Sequence, residues 1–374
     1  MGKDSLPLRT LGISHGSVVY LLYHFHREVS PAVKYSDFEK RPFGSHMTVE
    51  AMVAAQTRIE RQEKPTCSSV SFDAYAANTF QSYIQSALAF SIKRGGLLYG
   101  TCNEESGEVQ VHAIYEPPQH GSPDHLELER GLEEERNADM IAAALGWRKV
   151  GWIFNGSTKE RDFIFSAEEV CQMAAIQDEM GEHAITGVAA LFPPEDVADD
   201  GVSSSSAVPE VHLEAFQVSA QCVKLWKEGW FQLDATAPPS NMITVRNPKD
   251  PRDKTPVIVS RKDVGEVDVD YFLVPVGIKD HQSPLHHGFP IENRLLPQGQ
   301  AELRSHLQRL GRSERERSDG RKYTDLISDF HLLLFLSRQP GFGSSDVLAL
   351  VNCVRNGEPI PDGYRVLIDS LAGL

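Results

Sequence analysis

Two stretches of the chain carry the spacing of a zinc-dependent hydrolase with its decisive groups exchanged. Residues 150–170 read VGWIFNGSTKERDFIFSAEEV. A hydrolytic motif of the form Gly-x-x-His-x-His-Pro, loop, Ser-x-x-Asp would place its histidines at Phe154 and Gly156 and its last acid at Glu169. Upstream, KRGGLLYG matches a strand of the form Glu-x-x-Gly-Leu-x-x-Gly, with Lys93 where the proton-moving glutamate would stand. Hydrolysis on zinc needs about three protein ligands, an open position for water and a carboxylate to move the proton. Phenyl and glycine offer no ligand, one carboxylate cannot hold the ion, and an ammonium at Lys93 would repel it. The pattern predicts a site without catalysis, without metal and without cofactor. Glu169 has a structural explanation as well, since Ser166-Ala167-Glu168-Glu169 spells a capping box at the start of a helix.

Other chemistries find less support. There is no Gly-x-Ser-x-Gly elbow and no Walker loop, and GFGSSD at 341–346 lacks the last glycine of a dinucleotide fingerprint. His281, His286 and His287, and also His24 and His26, read as surface or packing histidines because no further ligand lies near them in sequence. Cys67, Cys102, Cys171, Cys222 and Cys353 form no Cys-x-x-Cys pair, so neither a disulfide framework nor a thiolate zinc site is expected.

The elements that would position these residues alternate between the periods of helix and strand. Phe80, Ile84, Leu88 and Ile92 recur four apart, which predicts a helix closed by Gly95-Gly96. Leu97-Leu98-Tyr99, the alternating EVQVHAIY stopped by Pro117-Pro118, RKVGWIF, AITGVAALF and EVHLEAFQVS read as strands. ADMIAAAL closed by Gly146, the segment from Ser166, and AQCVKLWKEGWF read as helices. That order describes an α/β sandwich with one mixed sheet over 68–233. A polar segment, 30–67, precedes it and ends in a helix starting near Thr48. An acidic, Ser-rich, Pro-bounded loop at 193–209 interrupts it. A second, α+β domain is expected over 234–374, with strands at PVIVS and YFLVPVGI and helices at AELRSHLQRL, TDLISDFHLLLFLS and SSDVLALVNCVRNG.

The chain has 374 residues, enough for two domains with a sizeable core. Its formal charge of −15 argues against a nucleic-acid partner, which requires a basic face. No apolar run is long enough to span a bilayer, and no secretory leader is read at the start, so a cytosolic or nuclear protein is expected.

The strings VHAIYEPPQ, LGWRKVGWIFN, HLEAFQVSAQCVKLWKEGWF, FPIENR and ISDFHLLLFLS together resemble the nuclear protein localisation four family, in its plant-type branch. The resemblance implies an inactive domain of the MPN fold, whose JAMM class holds the zinc enzymes compared above, followed by a family-specific C-terminal domain. It implies a non-catalytic adaptor that binds polyubiquitinated proteins. With a subunit of the ubiquitin fusion degradation family, it would deliver them to a hexameric AAA-ATPase segregase of the valosin-containing type. Extraction from the endoplasmic reticulum membrane and degradation by the proteasome would follow. Residues 1–29 correspond to the end of the ubiquitin-like β-grasp domain with which the family begins. Residues 30–67 replace a zinc finger of animal and fungal relatives, and with one cysteine they cannot build one.

Within that reading the loops at strand ends supply the candidate contacts with ubiquitin or a partner: Tyr115, Pro117 and Gln119 from YEPPQ, and Trp152, Phe154 and Asn155 from GWIFN. Trp152 and Phe154 alternate on a strand, which equally suits two core residues. A deubiquitinase with unusual metal ligands and a purely structural subunit are the alternative functions.

Overall fold

The computed structural model describes residues 7, 10, 12, 56–156, 163–192, 210–234, 237–248, 257–310 and 320–374. The chain divides into two compact units, Met1–Ala54 and Ala55–Leu374, and the elements below belong to the second. The β-grasp remnant, the helix start at Thr48, His24 and His26, and the acidic loop 193–209 lie outside the described residues.

The first half runs β1 (Arg58–Ile59), β2 (Ser69–Asp73), α1 (Ala74–Ser82), β3 (Gly95–Asn103), β4 (Glu108–Tyr115), β5 (Gln119–Gly121) and β6 (Leu126–Leu128). It continues with α2 (Glu133–Leu145), β7 (Arg148–Asn155), α3 (Ala167–Met180), β8 (Ile185–Phe192), β9 (Glu210–Val218) and α4 (Ala220–Lys227). Short strands follow: β10 (Phe231–Gln232), β11 (Met242–Val245), β12 (Val257–Val259), β13 (Lys262–Val264) and β14 (Glu266–Asp268). Then come β15 (Leu273–Val276), β16 (Ile278–His281), α5 (Gln300–Leu310), α6 (Gly320–Ile327), α7 (Phe330–Leu336), α8 (Ser344–Asn356) and α9 (Asp362–Ala372).

The expected mixed α/β architecture is present as an eight-stranded sheet in the order β15-β9-β8-β7-β3-β4-β2-β16. Side chains alternate through it and serve two cores. Leu97, Tyr99, Tyr115, Trp152 and Phe154 face one core, which α2, α3, α4, α7 and α8 share; Leu98, Ile114, Val150 and Ile153 face the other, covered by Phe80 of α1. The boundary expected at 234 needs revision, because β15 pairs with β9 and β16 pairs with β2, so residues beyond it extend the same sheet. Tyr323, Phe330, Leu333 and Leu350 join the same buried cluster as Trp152.

Two local expectations are also corrected. The helix from Ala74 ends at Ser82, passes through a π-helical turn at Tyr83–Ala87 and leaves helical geometry at Ala89 and Phe90, whose φ angles are 48° and 53°. Gly95 and Gly96 do not cap it; they open β3, where a Cβ would come within 2.9 Å of the Ile153 and Tyr115 carbonyl oxygens respectively. The apolar stripe is buried only in its first half, since Phe80 and Ile84 are buried while Ile92 is exposed. Secondly, Arg58–Ile59 forms a strand parallel to β12 rather than a helix tail, and Ile59 is buried there.

Candidate functional site

The site lies where β3 begins, β7 ends and α3 begins. Gly95 pairs with Phe154 across the antiparallel β3–β7 ladder, which brings Lys93 beside the strand end. The β5–β6 hairpin covers it, and the Lys93 amide donates to the Ser122 carbonyl at 3.0 Å. That approach requires Gly121, since a Cβ there would lie 2.0 Å from the Lys93 carbonyl oxygen.

The capping box read from the sequence is formed. The Glu169 amide donates to Ser166 Oγ at 3.3 Å, and Glu169 Oε2 accepts from the Ser166 amide at 2.6 Å. The other carboxylate oxygen, Oε1, accepts from Lys93 Nζ. Both side chains are nearly inaccessible, 1% exposed for Lys93 and 5% for Glu169. The ammonium also stands 5.8 Å from the centroid of the Phe154 ring. Sequence comparison placed these three residues in one motif, and the fold brings them together as a closed ion pair under an aromatic ring. Gly156 is half-buried, and its amide donates to the Ala189 carbonyl at 2.9 Å. Among the described residues, no group of three histidine, cysteine, aspartate or glutamate donors gathers at this end of the sheet.

The candidate contact residues are mostly internal. Trp152 and Phe154 stack at 4.6 Å, Phe154 meets Phe165 at 6.2 Å, and Phe165 meets Phe216 at 5.0 Å. Trp152 Nε1 donates to Thr186 Oγ1 at 2.9 Å, so the indole's polar edge is satisfied inside the core. Tyr115 is buried and donates to Glu134 at 3.1 Å; burial first, then the Glu134 charge, raises its pKa. Asn155 is buried and works as a staple, its Oδ1 accepting from the Arg94 amide at 2.5 Å and its Nδ2 donating to the Ile92 carbonyl at 3.1 Å. Gln119 staples the same segment from the hairpin, bonding the Gly95 amide at 2.8 Å and the Gly95 carbonyl at 2.9 Å. Pro117 is buried and Gln119 half-buried. Surface contact by Tyr115, Pro117, Trp152, Phe154 or Asn155 is therefore corrected, because a loop position does not guarantee exposure when an amide side chain closes the loop. Exposed apolar groups are found instead at Ile92, beside Lys93 in the chain, at 38% exposure, and at Ile164, two residues before Ser166, at 52%.

A second buried network, absent from the sequence reading, lies at the end of β4. Glu116 accepts from Arg94 Nε at 2.5 Å and from Arg294 Nε at 3.0 Å. Its amide donates to Glu292 at 3.0 Å, and Glu292 pairs with His331 Nδ1 at 2.8 Å. Burial opposes the charge on both members of that pair, but each outweighs it for the other: the Glu292 pKa is lowered and the His331 pKa raised. The signal was the string FPIENR, whose Glu292, Asn293 and Arg294 all bind back to the strand end.

The chain thus combines a mixed α/β scaffold with a closed, buried ion pair beside the start of β3. The profile described as the NPL4 family matches residues 94–364. Over its full length the chain is 42% identical to NPL4-like protein 1 of Arabidopsis thaliana, covering 84% of that protein. It is 39% identical to the NPL4-like protein of Oryza sativa subsp. japonica, again over 100% of the chain and 85% of the relative. With the Homo sapiens Nuclear protein localization protein 4 homolog it shares 28% identity over 68% of the chain and 46% of the relative. The chain belongs to the NPL4 family. Among its described residues, no helix is long and apolar enough to cross a membrane.

Proposed function

We propose that this chain is a non-catalytic adaptor on an MPN-type scaffold, binding polyubiquitin and delivering ubiquitinated proteins to a hexameric AAA-ATPase segregase. The observation that carries the non-catalytic part is the Lys93–Glu169 pair. An ammonium occupies the place of the proton-moving carboxylate, and the one acid of the motif is committed to that ammonium and to a helix cap. Kinship with the family supports the adaptor part. Its partners in this reading are polyubiquitin, a subunit of the ubiquitin fusion degradation family and the ATPase ring. It works in the cytoplasm and nucleus and at the endoplasmic reticulum surface through those partners, serving extraction and proteasomal degradation.

The docking surface in this reading uses the exposed Ile92 and Ile164, which neighbour Lys93 and Ser166 in the chain, with the half-buried Gln119, rather than the buried aromatics. Weak affinity for one ubiquitin, multiplied along a chain, gives preference for polymers. The test is titration of the purified chain with lysine-48-linked tetra-ubiquitin and with mono-ubiquitin, gels confirming that ubiquitin stays uncut. Preference for the chain, weakened by Ile164→Glu, is the expected result. Cleavage of the chain sinks the non-catalytic reading; equal, negligible binding of both sinks the receptor role for this polypeptide.

A further inference from the structure

We propose that Cys102, Glu104 and His183 form a binding site for one thiophilic divalent cation, with zinc the best match. It lies at the far end of β3 from Lys93, roughly 23 Å along the strand from Gly95 at about 3.3 Å per residue, and is independent of the adaptor reading. The three donor atoms lie within 4.8 Å of one another. Ligands of a single tetrahedral zinc with one sulfur and one nitrogen stand about 3.5 Å apart, so a small inward movement completes the site. Glu104 can supply that movement because its side chain is 61% exposed.

The cavity supports the same conclusion. It encloses about 180 Å³, and Cys102, Glu104, Arg148, Glu182 and His183 line it. The His183 side chain is only 13% exposed, and its Nδ1 is buried without a hydrogen-bond partner. Its Nε2 lies 3.5 Å from Glu104 and 3.9 Å from Glu182, longer than hydrogen bonds. A buried imidazole with one nitrogen unsatisfied and the other facing carboxylates is poised to give a lone pair to a cation. Sulfur, imidazole and carboxylate together favour zinc over calcium or magnesium, which prefer all-oxygen cages. Glu182 or water would fill the fourth position.

Arg148 is the resident competitor. It pairs with Glu104, and its charge also faces the Cys102 thiol. Its side chain is 52% exposed and can leave without breaking the core. Lys149 need not move, since Glu135 and Asp139 hold it elsewhere. On binding, the Cys102 S–H bond gives up its proton to solvent and the thiolate bonds to the metal, so occupancy rises with pH. Once bound, the ion would clip the turn after β3 to the turn before β8.

Cobalt(II) is the probe, because a thiolate ligand produces a near-ultraviolet charge-transfer band on that ion. Titrating the full chain should give a band that saturates at one equivalent and is erased by added zinc. Cys102→Ser should abolish it, and His183→Gln should weaken binding more than about tenfold, with circular dichroism unchanged. Arg148→Ala should tighten binding roughly two- to fivefold, the worth of an exposed ion pair. If either ligand variant misfolds, the Arg148→Ala result and a rise in the wild-type urea midpoint with zinc carry the test. Absence of a band, or a band that survives in Cys102→Ser, overturns the assignment.

Discussion

Replacing Lys93 by methionine retains a long apolar stem and removes only the ammonium. The Glu169 carboxylate, 5% exposed, then stays in a dry site without the cation that compensated it. Removing one member of a buried pair costs about 3–5 kcal/mol, mostly because the surviving charge remains desolvated. Here the Ser166 amide, 2.6 Å from Oε2, continues to stabilise that charge. This places the expected loss near the lower end, about 3 kcal/mol, or a little over 100-fold in the folding equilibrium. The double variant Lys93→Met/Glu169→Gln removes both charges and keeps a side chain able to complete the capping box. It should recover to within about 1 kcal/mol of the parent. Urea unfolding followed by far-ultraviolet circular dichroism measures both through the main cooperative transition. A single variant costing less than about 1 kcal/mol would show the pair to be solvated. A double variant no better than the single would refute the charge argument.

Three further outcomes follow from the geometry. Gly151→Ala should prevent recovery of folded protein, because φ is +149° and the added Cβ would lie 1.9 Å from the Ile185 carbonyl oxygen; expression and size-exclusion chromatography check this. Trp152→Phe deprives the buried Thr186 hydroxyl of its indole donor and should lower unfolding free energy by about 1–3 kcal/mol in the same urea assay. Burial, reinforced by His281, holds the His112 pKa down at about 4, well below the unfolded value. The unfolded chain therefore binds the extra proton, and stability fully present above about pH 6.5 should fall by up to about 3 kcal/mol as pH drops toward 4. Unfolding measured across that window should flatten in His112→Gln, whereas Asp73, held at about 2, stays ionised throughout it.

The elements legible in the sequence were those whose pattern is local. The strand periods around Tyr115 and Trp152, the left-handed glycine stop at Gly146 and the Ser166 box all appear as read. Long-range pairing was hidden. Motif spacing put Lys93 and Glu169 in one site without showing that they close on each other as an ion pair, and nothing in YEPPQ shows that Gln119 bonds Gly95. Asn155 carried the composition of a contact loop, yet its amide closes the backbone instead. Cysteine spacing excluded a thiolate zinc finger but was blind to Cys102 and His183, which meet only because β3 and the turn before β8 end side by side.

The segment Leu273–His281 has a wider meaning. Its first half pairs with β9 and its second half with β2, and the Gly277 carbonyl between them accepts from the Val70 amide. One continuous stretch thus covers both outer strands, β9 and β2, of the six strands between them. Outer strands left bare present rows of unsatisfied amides and carbonyls that recruit other chains into aggregates. A chain cut after residue 233 would uncover both at once, so the later residues protect the earlier ones from self-association. During synthesis, these six strands emerge before their cover does, and the polypeptide is most exposed to misassembly until that single stretch has followed.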